Sequence, residues 1–196
     1  MNFFLLNTNR LTEIIEQAAK QSASALQEIV NQPVTLSFSK VKIINASKEK
    51  GLFEDLIEDP GAVIKLKYDG GLRGCAFLVL GNGSEKELLH GLLDEHINND
   101  QSEESAEIIF YEIGNVLLNI YVGTIANQLN AKVEYAIPEV VTRQEKQGWL
   151  DDLLGCCIPP QKLLLLKSAL GIGELEITAD IIILIDYSEE VADKLC

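Results

Sequence analysis

The sequence predicts an α+β fold, a pseudo-two-fold duplicated α-β-β-β-α repeat with long helices packed on a largely antiparallel six-stranded sheet. Three observations predict it. Two long segments carry an apolar stripe at helical spacing, the runs between them alternate with period two, and residues recur at a fixed distance. Sliding the chain by 99 residues lays Glu13 on Glu112, Asn31 on Asn130, Val34 on Val133 and Val41 on Val140. Nearer the end of each half, Leu80-Gly81-Asn82-Gly83-Ser84 matches Ile185-Asp186-Tyr187-Ser188 with one residue dropped. Residues 1–196 are therefore expected to form one domain, with repeats at about 8–98 and 103–196.

The first helix is predicted over Leu11–Val30, with Thr8 or Asn9 as N-cap. Leu11, Ile14, Ile15, Ala18, Ala19, Ser22, Leu26 and Ile29 make its buried stripe, and Asn31-Gln32-Pro33 stops it. Val34–Val41 alternates as a half-buried strand. A polar loop at Lys48–Pro60 leads to a hairpin of Ala62–Tyr68 and Leu72–Leu80 around Asp69-Gly70-Gly71. Ser84 caps a short helix that runs to Ile97, and Asn98–Ser105 joins the halves. The second half repeats the order: a helix over Glu103–Asn130, then strands at Lys132–Pro138, Lys162–Leu170 and Glu174–Tyr187, with a loop at Gln144–Gly155. A terminal helix is expected from Ser188.

Composition narrows the function classes. Nearly half the residues are apolar and under a quarter are charged, a globular balance. A formal net charge of −14 disfavours nucleic acid and anionic membranes and suits a partner presenting Lys or Arg. The start, MNFFLLNTNR, lacks the basic and apolar regions of a secretory signal. No run approaches the roughly 18 uninterrupted apolar residues of a membrane span, so a cytoplasmic protein is expected. Cys75, Cys156, Cys157 and Cys196 lack metal-site spacing and read as reduced thiols. His90 and His96 have no metal-ligand companions, and Trp149, Leu150, Leu153 and Leu154 form an apolar patch that reads as packed core or, alternatively, as a docking surface.

Glu112-Ile113-Gly114-Asn115, with Pro138 placed 23 residues after Asn115, is the most informative stretch. Glu112 and Asn115 are three apart and share a side of the helix, with Asn119 one turn on. The stripe Ile109, Ile113, Val116, Leu117, Ile120 and Thr124 is expected to face the sheet. Tyr111, Leu118 and Val122 fall beside Asn115, either covered by the chain ends or rimming a landing site. A carboxylate can pair with a partner's cation, while a carboxamide both donates to and accepts from a water. Phosphoryl transfer rests largely on such positioning and electrostatics. Helix surfaces often carry Glu-x2-Asn pairs, so the spacing alone does not define a site.

With its proline, the segment resembles the motif Asp/Ser-x3-Glu-x2-Asn-x22-Pro of the CheC/CheX/FliY family of CheY-phosphate phosphatases, and the double plan resembles the CheC branch. The resemblance implies hydrolysis of the aspartyl phosphate of a CheY-like response-regulator receiver. Glu112 would contact a receiver lysine, Asn115 would align the attacking water, and Pro138 would shape the site. It implies no cofactor of the chain's own, with Mg2+ on the receiver. The Asp/Ser position falls on Ile108, which cannot hydrogen-bond through its side chain. In the first repeat the four positions fall on Asn9, Glu13, Glu16 and Ser39. Glu16 replaces the asparagine and would repel a phosphoryl group, so Glu13 and Glu16 mark a degenerate first site. The alternative is a non-catalytic binding module for a phosphorylated receiver or a CheD-like partner.

Overall fold

A computed structural model describes residues 8–45, 60–92, 102–142 and 161–186. The elements are α1 (Thr8–Val30), β1 (Val34–Asn45), β2 (Ala62–Gly70), β3 (Gly74–Leu80), α2 (Ser84–Leu92), α3 (Ser102–Gln128), β4 (Val133–Tyr135), β5 (Glu139–Thr142), β6 (Gln161–Ile172) and β7 (Leu175–Asp186). The strands form one antiparallel sheet ordered β1-β6-β7-β3-β2-β4, with β5 also on β2. The first strand of each half therefore leaves its own hairpin and pairs with the hairpin of the other half.

The two-fold relation is visible in the pairing. Phe77 faces Ile182 at the centre of the sheet, and Gly74↔Ile185 mirrors Leu80↔Ala179. Laying Leu80 on Ile185, as the sequence match does, exchanges these pairs. Both long helices end on an asparagine in the left-handed region, Asn31 at φ 52° and Asn130 at φ 53°. Asparagine tolerates this backbone, which lets the last carbonyls of the helix find donors. The Ala131 N–H closes such a bond to the Ala126 carbonyl at 2.9 Å.

Burial follows the repeat too. Leu11 and Phe110, Ile14 and Ile113, Ala18 and Leu117, Ala19 and Leu118, Ser22 and Tyr121, and Leu26 and Ile125 are buried as matched pairs. In the middle of this stripe α1 supplies the small side chains and α3 the large ones, and the two helices pack against each other. Between them the Thr124 hydroxyl donates to Gln21 Oε1 at 3.0 Å. On the other side of the sheet Val63, Phe77, Val79, Ile182 and Leu184 are also buried, so its central strands are apolar on both faces.

Several sequence expectations need correction. The sheet has seven strands rather than six, because Lys132–Pro138 does not form one strand. Pairing shifts by one residue between Tyr68↔Tyr135 and Lys65↔Glu139, a bulge at Ile137-Pro138 that splits the run into β4 and β5. Proline has no N–H for the ladder and is accommodated where pairing lapses. Ile29, assigned to the buried stripe, is 52% exposed on the last turn of α1. That helix begins at Thr8 rather than Leu11, and β1 runs on to Asn45. Leu118 and Val122 lie in the core and rim no surface, while Tyr111 is half-buried.

Cys75 is buried on β3. The other three cysteines, His96, the Trp149 patch, the loop at Lys48 and the terminal helix lie outside the described residues. The stretch Ala106–Gln128 of α3 has a mean hydropathy of 1.5, long and apolar enough by composition to cross a membrane, yet half of it is buried inside the fold.

The closest approach of α3 to the sheet is at Gly114. A Cβ placed there would stand 2.4 Å from Ile64 Cγ2 and 2.8 Å from Ile64 Cβ, on β2. Gly114→Ala is expected to destabilise the fold by about 1–3 kcal/mol, the usual cost of overpacking a close-packed core. Urea unfolding of Gly114→Ala, Ile64→Ala and the double variant tests the contact. The double variant should lose less than the two single losses combined. Strict additivity would mean that helix and strand are not pressed together there.

Candidate functional site on the outer side of α3

Gly114 sets the roll of α3, and the roll sets what faces outward. With Ile113, Gly114, Leu117 and Tyr121 buried, Glu112 is left exposed, and Asn115 and Asn119 lie half-buried at the boundary. Asn119 Nδ2 donates to Asn115 Oδ1 at 2.6 Å, the one-turn contact that i and i+4 residues make. Asn119 Oδ1 is buried with no hydrogen-bond partner. Ile108, on the same side one turn before Glu112, is 58% exposed.

The edge strand supplies the flank. The Tyr135 hydroxyl lies 3.4 Å from the Asn119 carbonyl and donates to it. A Cβ on Gly123 would stand 3.0 Å from that hydroxyl, so a second glycine of α3 lets the ring approach. Pro138 is buried in the bulge, while its neighbour Ile137 is 78% exposed. Below the bulge, Glu139 accepts from Lys67 Nζ at 3.2 Å and lies 3.6 Å from Lys65 Nζ. Partial burial pushes the Glu139 carboxyl up, but the lysine hydrogen bonds and charges outweigh it and hold it below its ordinary value. This pairing clamps β5 to β2 on the face away from α3, since Lys65 and Glu139 are register partners.

Glu112 and Asn115 share one side of α3, and Pro138 lies in the β4–β5 edge run that packs against this helix. Glu13 and Glu16 are both exposed on α1 and belong to the other half. There the 99-residue offset lays Ile15 on Gly114, and Ile15 is fully buried. A side chain stands where α3 has none, so α1 cannot lie on the sheet in the same way. Ser39, matched to Pro138, is itself the extra residue in β1, since pairing shifts between Phe38 and Lys40. The bulge is thus common to both halves, and only the proline is missing from the first.

Sequence reasoning overlooked Gly114, Gly123, Tyr135 and Ile137. A glycine inside a helical pattern is a readable signal, because it costs helix stability and needs a packing reason. Nothing in the sequence foretold the exposure of Ile137, which depends on where the bulge turns it.

No family model matches the sequence. A curated protein, the CheY-P phosphatase CheC of Bacillus subtilis, is 24% identical over 136 residues, which cover 66% of this chain and 63% of that protein. The match therefore spans less than two thirds of the relative's length. Among solved structures, Thermotoga maritima FliY superposes with a TM-score of 0.61 at 15% identity, covering 91% of this chain and 87% of that one. FliM from the FliM–SpeE complex of H. pylori gives 0.62 at 12% identity, covering 95% and 92%. A chain of the CheX–CheY–BeF3–Mg2+ complex from Borrelia burgdorferi gives 0.55 at 12% identity, covering 88% and 97%. The structural likenesses are of fold, and together with the sequence match to CheC they support the resemblance to the CheC/CheX/FliY family.

Proposed function

We propose that the chain is a phosphatase for an aspartyl-phosphorylated, CheY-like receiver, with one active site on α3. The observation that carries this reading is the pairing on one helix side of an exposed carboxylate, Glu112, with an anchored carboxamide, Asn115. Glu112 meets a lysine of the receiver, and Asn115 holds a water against the phosphorus. The water oxygen forms the new P–O bond as the bond to the aspartyl oxygen breaks. Inorganic phosphate leaves, the aspartate regains its carboxylate, and both protons of the water depart with the phosphate, as dihydrogen phosphate. The receiver brings the phospho-aspartate and Mg2+, and the encounter takes place in the cytoplasm.

The curated relative named as a CheY-P phosphatase and the solved CheX–CheY complex support this reading. The protein's acidity suits a receiver that presents a lysine. A second reading, a binding module for the phosphorylated receiver or a CheD-like partner, draws on Ile108. An exposed isoleucine at the position where the family motif has Asp or Ser supports packing against a partner more than chemistry. FliM, similar in fold, is known in complexes with FliG and SpeE.

Phosphate release from a phosphorylated receiver separates the two. Asn115→Ala is expected to lose about 2–4 kcal/mol of transition-state stabilisation, as when one preorganised donor is removed. It should still bind the receiver loaded with BeF3. A parent chain that binds the loaded receiver and never accelerates release would establish the binding module instead.

Glu112→Gln keeps the shape and removes the charge. Its association with the loaded receiver is expected to be weaker at low ionic strength and less sensitive to salt. Unchanged affinity and salt response would remove Glu112 from the contact.

For the first repeat, Glu13→Ala and Glu16→Ala should leave the release rate within about twofold, since exposed helix substitutions seldom move stability by more than about half a kcal/mol. A requirement for either glutamate would mean that α1 carries a working site as well.

A further inference from the structure

We infer that Asn119 is a positioning residue that fixes the carboxamide of Asn115 with Oδ1 held inward and Nδ2 turned out toward the incoming phosphoryl group. The inference rests on the proposed phosphatase reading for its consequence, though not for its geometry. Asn119 Nδ2 donates to Asn115 Oδ1 at 2.6 Å, so the oxygen end of the Asn115 amide is engaged within the helix surface. Its two N–H groups are the end left for a ligand, and the second lone pair of Oδ1 remains for a water.

Two features of Asn119 make little sense without such a role. It sits in the interior of a long helix, where asparagine is a poor helix former and an alanine would be cheaper. Its own Oδ1 is buried without a partner, an arrangement that native structures mostly avoid. Its backbone carbonyl also accepts from the Tyr135 hydroxyl at 3.4 Å. Local rules broken in this way are expected where a side chain orients a neighbour. A preorganised amide need not rotate as charge spreads over the phosphoryl oxygens, which is where such donors have their effect.

The test has one arm that does not depend on activity. In the parent chain, solvent exchange of the Asn119 side-chain amide should be slower than that of Asn115, measured by NMR with Asn119→Ala assigning the signals. If the Asn115 amide is the protected one, the orientation is reversed and the inference is overturned. This holds even if the chain hydrolyses no receiver, an outcome that would defeat the phosphatase reading alone.

The kinetic arm uses phosphorylated receiver at saturating and limiting concentrations. Asn119→Ala should lose about tenfold in the maximal rate with half-saturation unchanged, the pattern of lost orientation rather than lost binding. Asn119→Asp places an acceptor where a donor is needed, so an ionised carboxylate turns the Asn115 amide over. Its rate relative to the parent should rise as pH falls from about 8 to about 6, because the protonated acid again donates and partial burial raises its pKa. An Asn119→Asp chain as active as the parent across that range, while Asn115→Ala is inactive, would overturn the role of Asn119 and leave the proposed function standing.

Discussion

At Gly114 the backbone of α3 rests on Ile64 of β2 with no side chain between them, and the orientation of every outward group on the helix depends on that contact. A helix in contact with a sheet can roll about its own axis unless something fixes it. Here the close approach leaves room for only one roll, because any other would drive a side chain into β2. Ile113, Leu117 and Tyr121 then go to the core, while Glu112 stays in water and Asn115 and Asn119 sit at the edge. The matching residue of α1 is Ile15, so the first helix stands over the sheet on its side chains. The two halves share a backbone plan and differ in what each helix can present.

The exchange of first strands between halves has a second consequence. β1 and the β4–β5 run form the two edges of the sheet, and each carries one extra residue at the same place in its repeat. Bulges sharpen local twist and re-aim side chains, and they blunt an edge against unwanted pairing. Pro138 carries this further than Ser39 can, since it donates nothing to a ladder and interrupts the strand outright. The interruption leaves Pro138 buried and Ile137 in solvent.

Around that side polar and apolar groups alternate in a way that suits a protein surface better than a small molecule. Glu112 and Ile108 are exposed one turn apart on α3, and on the edge strand Tyr135 and Ile137 are exposed as well. Exposed apolar groups around a charge let a partner bury area while its cation is met. The Asn115–Asn119–Tyr135 chain is the only polar network tying α3 to that strand among the described residues.

The sequence by itself determined the duplication, the two long helices, the hairpins and the placing of Glu112 and Asn115 on one side of α3. Periodicity carries that information, because a helix or strand must put its apolar positions on one side whatever it packs against. It also marked the end of the first helix at Asn31-Gln32-Pro33, while the left-handed backbone of Asn31 and Asn130 came with the structure. Only the tertiary structure decided the strand exchange between halves, since a half-buried strand satisfies its pattern against either hairpin. Packing likewise decided that Leu118 and Val122 are core and Ile29 is not, because each lies on a part of its helix whose cover comes from elsewhere in the chain. The direction of the Asn115 amide was beyond any pattern: it depends on a 2.6 Å hydrogen bond between two side chains held in place by a glycine against a strand.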